Sequence, residues 1–178
     1  MPGEIKVCIA SFLTTEELGA LRLTSKHIER QLRHTFTSEF FRKKQFMLTT
    51  FSLQTLIDIS QHPVFSSELQ HLIIGLDHYS TSAWPPAAVG FDEMEADSTL
   101  AYMDAKTEQS DLLQTGKGLS MLTEALRNLP NLQTIGIRDF NSPTRTRDGE
   151  HYFWRSYGAT TVVKELGERL SMTSFSRN

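Results

Sequence analysis

A chain of 178 residues, 39% hydrophobic and 22% charged, suits one ordinary domain or a small helical module followed by a compact second one; its composition argues against wholesale disorder. The net charge of -3, with a pI near 6.1, gives no global electrostatic footprint for nucleic acid or an anionic membrane surface. The single cysteine, Cys8, excludes an internal disulfide framework and a multi-cysteine zinc site, in keeping with a reducing cytoplasmic or nuclear compartment. No apolar run approaches the roughly 20 residues of a membrane span. The opening Met1-Pro2-Gly3-Glu4-Ile5-Lys6 lacks the long apolar core of a secretory signal.

From Glu4 to Leu13, the positions Ile5, Ile9 and Phe12-Leu13 follow the spacing of one buried helix face, and Val7 and Ile9 beside Cys8 give it the look of a core thiol. Thr14 or Thr15 can cap a second short helix, with Glu16 and Glu17 in its positive first turn and Leu18 and Leu21 inside. Thr24-Ser25 is a further cap signal, with Glu29 placed to assist a third helix containing Ile28, Leu32 and Phe36. Arg22, Lys26, Arg30 and Arg33 read as a solvated face.

Phe40, Phe41, Phe46, Met47 and Leu48 suggest a helix end running into a short strand. Ser52 reads as the cap of a helix burying Leu53, Leu56, Ile57 and Ser60, stopped by His62-Pro63. A buried strand follows within Glu68 to Leu76. The same order returns downstream, as a helix with Leu119, Leu122, Ala125 and Leu126, an end at Asn128 and Pro130, and a strand from Leu132 to Ile137. Between the units, an acid-rich inserted loop runs from about residue 80 to 111, with Trp84-Pro85-Pro86, Asp92, Glu93, Glu95 and Asp97, and a short helix from Ser98 through Lys106. A last helix is expected from Thr160 to Leu170, with Val162, Val163, Leu166 and Leu170 on one side. The fold class is therefore α/β, mostly helical, with parallel strands joined by helical crossovers.

Pro2-x-Glu4-Ile5, then Ile9, Phe12-Leu13, Leu18, Leu21-Arg22-Leu23 and Ser25-Lys26, resembles the F-box, whose pattern is Leu-Pro-x-Glu-Ile, a hydrophobic helix, an acidic residue with leucine, and Leu-Arg-x-Val-Ser-Lys. The match covers Met1 to Ile28; Met1 stands for the leading leucine, Lys6 replaces a usual leucine, and the tryptophan after Ser-Lys is absent. The two strand segments, Leu69-x-x-Leu72-x-Ile74-x-Leu76 and Leu129-x-x-Leu132-x-x-Ile135-x-Ile137, loosely resemble the strand half of a leucine-rich repeat, at a spacing much longer than the usual 20–29 residues. The segments from Phe51 to Pro63 and from Leu126 to Leu132, with Arg147-Asp148-Gly149 and Trp154 to Gly158, resemble fungal F-box proteins with a leucine-rich-like C-terminal region.

The resemblance implies a three-helix F-box over residues 1–45 and a leucine-rich-repeat-like region over 46–178. It implies a non-catalytic substrate adaptor of a cullin-RING ubiquitin ligase, with Pro2, Ile5, Ile9, Leu13, Leu18, Leu21 and Leu23 meeting a Skp-type adaptor and the rest holding an unknown protein client. Its rival is a free-standing or truncated α/β scaffold without ligase engagement. In physical terms, three short helices this apolar exceed what so small a unit can bury, which leaves a surface for association.

Other chemistries are weaker. Arg138, Arg145, Arg147 and Arg155 lie among Phe140, Tyr152, Phe153, Trp154 and Tyr157, a mixture able to stack on nucleic acid, but Asp139, Asp148 and Glu150 oppose it, and local packing is the preferred reading. His71, Asp77 and His78 are the best metal candidates, yet a strand distributes them over both faces. Gly116-Lys117-Gly118 lacks the spacing of a phosphate loop, and a catalytic Cys8 would need an activating base and partial exposure, whereas it sits on or beside a hydrophobic helix face. No cofactor, metal, membrane or nucleic-acid partner is expected.

Overall fold

The computed structural model describes residues 3–79, 93–139, 156–159 and 171–172. It is mostly helical, with a small three-stranded parallel sheet. Three helices open the chain: α1 (Gly3–Ser11), α2 (Thr15–Leu23) and α3 (Lys26–Phe41). Thr14 caps α2 through a reciprocal box: its hydroxyl accepts from the Glu17 N–H at 3.2 Å, and the Glu17 carboxylate accepts from the Thr14 N–H at 2.8 Å. Ser25 caps α3 by accepting from the His27 and Ile28 N–H groups. Glu29 does not complete a box as expected; it lies one residue too far along and pairs with Arg33 at 2.7 Å and Arg22 at 3.6 Å.

Both α1 and α2 pack on α3 around Ala10, Leu18, Leu32 and Phe40. Arg22 is not on a solvated face: its guanidinium lies 3.5 Å from the centroid of the Phe36 ring.

The chain passes from α3 into β1 (Lys43–Met47), so a boundary after residue 45 would cut this strand, and the break between elements falls at Arg42. Then follow α4 (Thr50–Gln61), α5 (Phe65–Glu68), β2 (His71–Gly75), β3 (Asp77–His78), α6 (Glu93–Gln114), α7 (Lys117–Arg127), β4 (Thr134–Arg138) and β5 (Ser171–Met172). The cap of α4 is Thr49, not Ser52. Ser52 is fully buried and its hydroxyl donates instead to the Tyr157 carbonyl at 2.7 Å. His62 stops α4 as expected, and its Nδ1 accepts from the Val64 and Phe65 N–H groups at the start of α5, a turn absent from the sequence reading.

The sheet runs β1-β2-β4, all parallel, with Lys44, Leu72 and Ile135 in one register row and Phe46, Ile74 and Ile137 two rows on, on the same face. Phe46, Leu72 and Ile74 meet Leu53, Leu56 and Ile57 of α4 and Ala125 of α7 in the main core. Phe41 touches both cores: it packs in the three-helix cluster and stacks on Phe65 at 4.0 Å, joining the N-terminal helices to the α/β layer.

The expected inserted loop is largely a 22-residue helix. Tyr102, Gln109 and Leu112 of α6 are buried, and Gln109 ties it to the sheet end by donating to the Leu48 and Asp77 carbonyls and accepting from the Tyr79 N–H. Residues 80–92, the Arg and aromatic stretch 140–155 and the expected helix 160–170 lie outside the described residues.

At the end of the sheet, Gln45 donates to Ser156 Oγ at 2.8 Å and Ser156 donates to the Asp77 carboxylate, all three side chains being buried. Gly75 lies against this cluster, and a Cβ there would overlap Ser156 Oγ, Asp77 Oδ2 and Gln45 Nε2. Gly19, inside α2, has open space around its Cβ position. Gly75→Ala should therefore destabilise the protein by about 1–3 kcal/mol, while Gly19→Ala should stabilise it by about 0.5–1 kcal/mol. Thermal melts of the two variants check the opposite signs.

Candidate docking surface

Helix α1 carries two apolar faces and buries one. Gly3, Lys6, Val7, Ala10 and Leu13 turn toward the rest of the unit, and Ala10 is fully enclosed. Small residues at 3 and 10 let the backbone approach, and the Lys6 amine donates to Gln31 Oε1 at 2.6 Å. The face expected to be buried points outward: Ile5 is 48% exposed, Ile9 45% and Phe12 83%. Cys8 lies on the same outward face and is exposed, which corrects its reading as a core thiol. Positions 5, 8 and 9 form one stripe of α1, and Phe12 continues it in the turn just past the last helical residue, where its N–H donates to the Ile9 carbonyl at 3.1 Å.

Of the residues assigned to adaptor contact, Ile5 and Ile9 are on this stripe. Leu23, at the end of α2, is 89% exposed. Leu13 and Leu21 are partly buried against the three-helix core. Leu18 is 1% exposed and holds that core together, so it supports a surface and cannot itself meet a partner. Pro2 lies outside the described residues. Phe12, absent from the expected contact set, is the most exposed member of the stripe; its place seven residues after Ile5 and three after Ile9 was the available signal.

Charges in the three-helix unit are ordered by short local bonds. The Thr14 N–H, then its hydroxyl, hold the Glu17 carboxyl below its usual range. The Arg33 guanidinium lowers Glu29, and Glu29 in turn raises Arg33.

Among the described residues, the other candidates are engaged elsewhere. Among the described residues, no group of three or more His, Cys, Asp and Glu side chains converges on a metal-sized site. Asp77 is engaged with Ser156, and His78 Nδ1 lies 3.3 Å from the Leu76 carbonyl oxygen. Gly116 adopts a left-handed turn as the N-cap of α7. A depression of about 460 Å³ is lined by Thr50, Asp104, Thr107, Glu108, Asp111 and Lys117, an acid-rich wall without a nucleophile paired to a base. Arg138 ends β4, and Tyr157 stacks on Phe51 at 5.7 Å between ring centroids. Among the described residues no helix is long and apolar enough to cross a membrane. No protein-family model matches the chain, and neither the curated proteins nor the solved structures hold a significant match to it.

The capping box sets the turn between α1 and α2 and so the angle at which the stripe is presented. Thr14→Ala should cost about 1 kcal/mol at neutral pH. Because Glu17 titrates lower in the folded chain than unfolded, its contribution is complete above the ordinary glutamate value of 4.5 and is lost as pH falls through the folded value. Thermal melts as a function of pH should therefore show the gap between wild type and Thr14→Ala narrowing in acid.

Proposed function

We propose that the N-terminal three-helix unit docks a Skp-type adaptor and that the α/β remainder presents a protein client to a cullin-RING ubiquitin ligase, with ubiquitin transfer carried out by other subunits. The observation that carries this reading is the outward stripe of Ile5, Cys8 and Ile9 on a helix whose opposite face is already packed, continued by Phe12 in the turn that follows it. Burying each large apolar side chain contributes roughly 1.5–3 kcal/mol, so a few of them suffice for a stable protein contact. Lys6, where the F-box pattern has leucine, is turned to Gln31, so this departure leaves the exposed stripe apolar.

The remainder supports the leucine-rich-repeat-like half of the reading by its in-register rows. The interval from Lys43 to His71 falls within the usual 20–29 residues of such a repeat, while the next interval is lengthened by α6. The unit is a short, irregular version of that architecture.

The test is co-purification with a Skp-type adaptor. Ile9→Asp and Phe12→Asp should each fold normally, since both positions face solvent, yet reduce adaptor affinity by about a thousandfold, the consequence of desolvating a charge in an apolar interface. Alkylation of Cys8 should block the same contact. Leu18→Asp should unfold the unit outright. Retention of adaptor by folded Ile9→Asp and Phe12→Asp chains would refute the proposal.

A further inference from the structure

The two edges of the parallel sheet are built differently. The outer side of β1 carries Lys43 and Lys44 and is met by the segment at Tyr157, whose carbonyl accepts from the Met47 N–H at 3.1 Å and whose N–H donates to the Gln45 carbonyl at 2.8 Å. Charge and cover are the usual protections of a sheet edge. The other edge is β4, and among the described residues no strand lies beyond it. Its sequence, Thr-Ile-Gly-Ile-Arg, has no proline and no lysine, and Ile135 and Ile137 are 55% and 75% exposed although they share register rows with the buried Leu72 and Ile74.

The backbone direction of this edge follows from two bonds. The Thr134 N–H donates to the Gln70 carbonyl at 3.1 Å, and the Arg138 carbonyl accepts from the Leu76 N–H at 2.9 Å, so residues 134 and 138 address β2. Alternation along a strand then turns Gly136 to β2 as well, and directs the N–H and C=O groups of Ile135 and Ile137 outward.

We propose that a second copy of this chain pairs with β4 edge to edge, antiparallel, about a twofold axis at Gly136, giving a continuous six-stranded sheet. This register is self-complementary, as a twofold contact requires. Ile135 stands opposite Ile137 of the second copy, and the outward groups of these residues form the closely spaced hydrogen-bonded pairs of an antiparallel ladder. Gly136 stands opposite its own copy at the narrow, non-bonded position, where strands approach to about 4.5 Å between Cα atoms and the absence of a side chain removes any crowding. Four isoleucines gather on one face. Arg138 faces Thr134 and Asp139 faces Gln133, so no like charges meet. Centring on Ile137 would set Ile135 against Asp139, and centring on Ile135 would set Ile137 against Gln133. The chain's own second copy therefore fits this edge in one register, and the pairing is independent of the adaptor contact on α1.

Sedimentation velocity of the full chain at micromolar concentrations tests it. The expected result is a concentration-dependent dimer that Ile137→Lys and Ile135→Lys convert to a monomer with the far-UV circular dichroism of the folded wild type, and with a melting temperature that no longer rises with concentration. In a Cys8→Ser background, Gly136→Cys should yield a disulfide-linked dimer on mild oxidation, because the pair across the axis has the spacing a disulfide needs. Monomeric wild type throughout, a dimer unaffected by both lysine variants, a dimer lost on Phe12→Asp instead, or failure of the Gly136→Cys chain to cross-link would each overturn the proposal.

Discussion

Three parallel strands of five residues each have no stability of their own; the layer exists because one face is sealed by helices. Phe46, Leu72 and Ile74 supply that face and α4 supplies most of its cover, with Leu53 and Leu56 wholly removed from water. Parallel pairing requires a crossover between consecutive strands, so the helix that covers the sheet is also the helix that connects it. Sequence order and packing thus impose the same arrangement. Helix α7 repeats the solution beside α4, and α6 closes the end of the sheet through Gln109, whose three bonds satisfy main-chain groups that would otherwise be stranded in an apolar setting.

The N-terminal unit is attached to this layer through Phe41, the last residue of α3, whose ring meets Phe36 of the three-helix cluster and Phe65 of α5. Because α3 leads directly into β1, the three helices are held against the sheet by a short covalent link as well as by aromatic contact. The outward stripe on α1 is consequently presented from a fixed base. Its exposure arises from arithmetic on a nine-residue helix: with Val7 and Ala10 packed toward α3, Ile5, Ile9 and Phe12 have no surface left within the unit to cover them. The proposed adaptor contact and the proposed pairing at β4 are two answers to the same condition, apolar side chains that the chain's own described elements leave in water.

Much of this was legible in the sequence. The three short helices, the helix containing Leu53 and Leu56, the strand at Leu72 to Ile74 and the repeat of that order were visible from periodicity and punctuation. The inward face of α1 was not, because two apolar stripes compete on one helix and hydrophobicity alone cannot choose between them; the small residues Gly3 and Ala10 decide it. Ser52 has the chemistry of a cap, but its hydroxyl is consumed by a contact with a segment more than a hundred residues away. The acidic content of α6 conceals the spacing of Tyr102, Ala105, Gln109 and Leu112 that faces the protein, since the critical buried member is a polar glutamine. Exposure of Ile135 and Ile137 was also hidden, because a strand's own pattern does not reveal whether a neighbour lies beyond it.

The most direct test of the central claim is a calorimetric titration of the full chain with a purified Skp-type adaptor alone, repeated at several temperatures. Docking through the α1 stripe predicts saturable binding of one adaptor per chain with a negative heat-capacity change, the signature of apolar surface leaving water. A titration without heat at any temperature, together with no retention of the adaptor on the immobilised chain, would contradict the account.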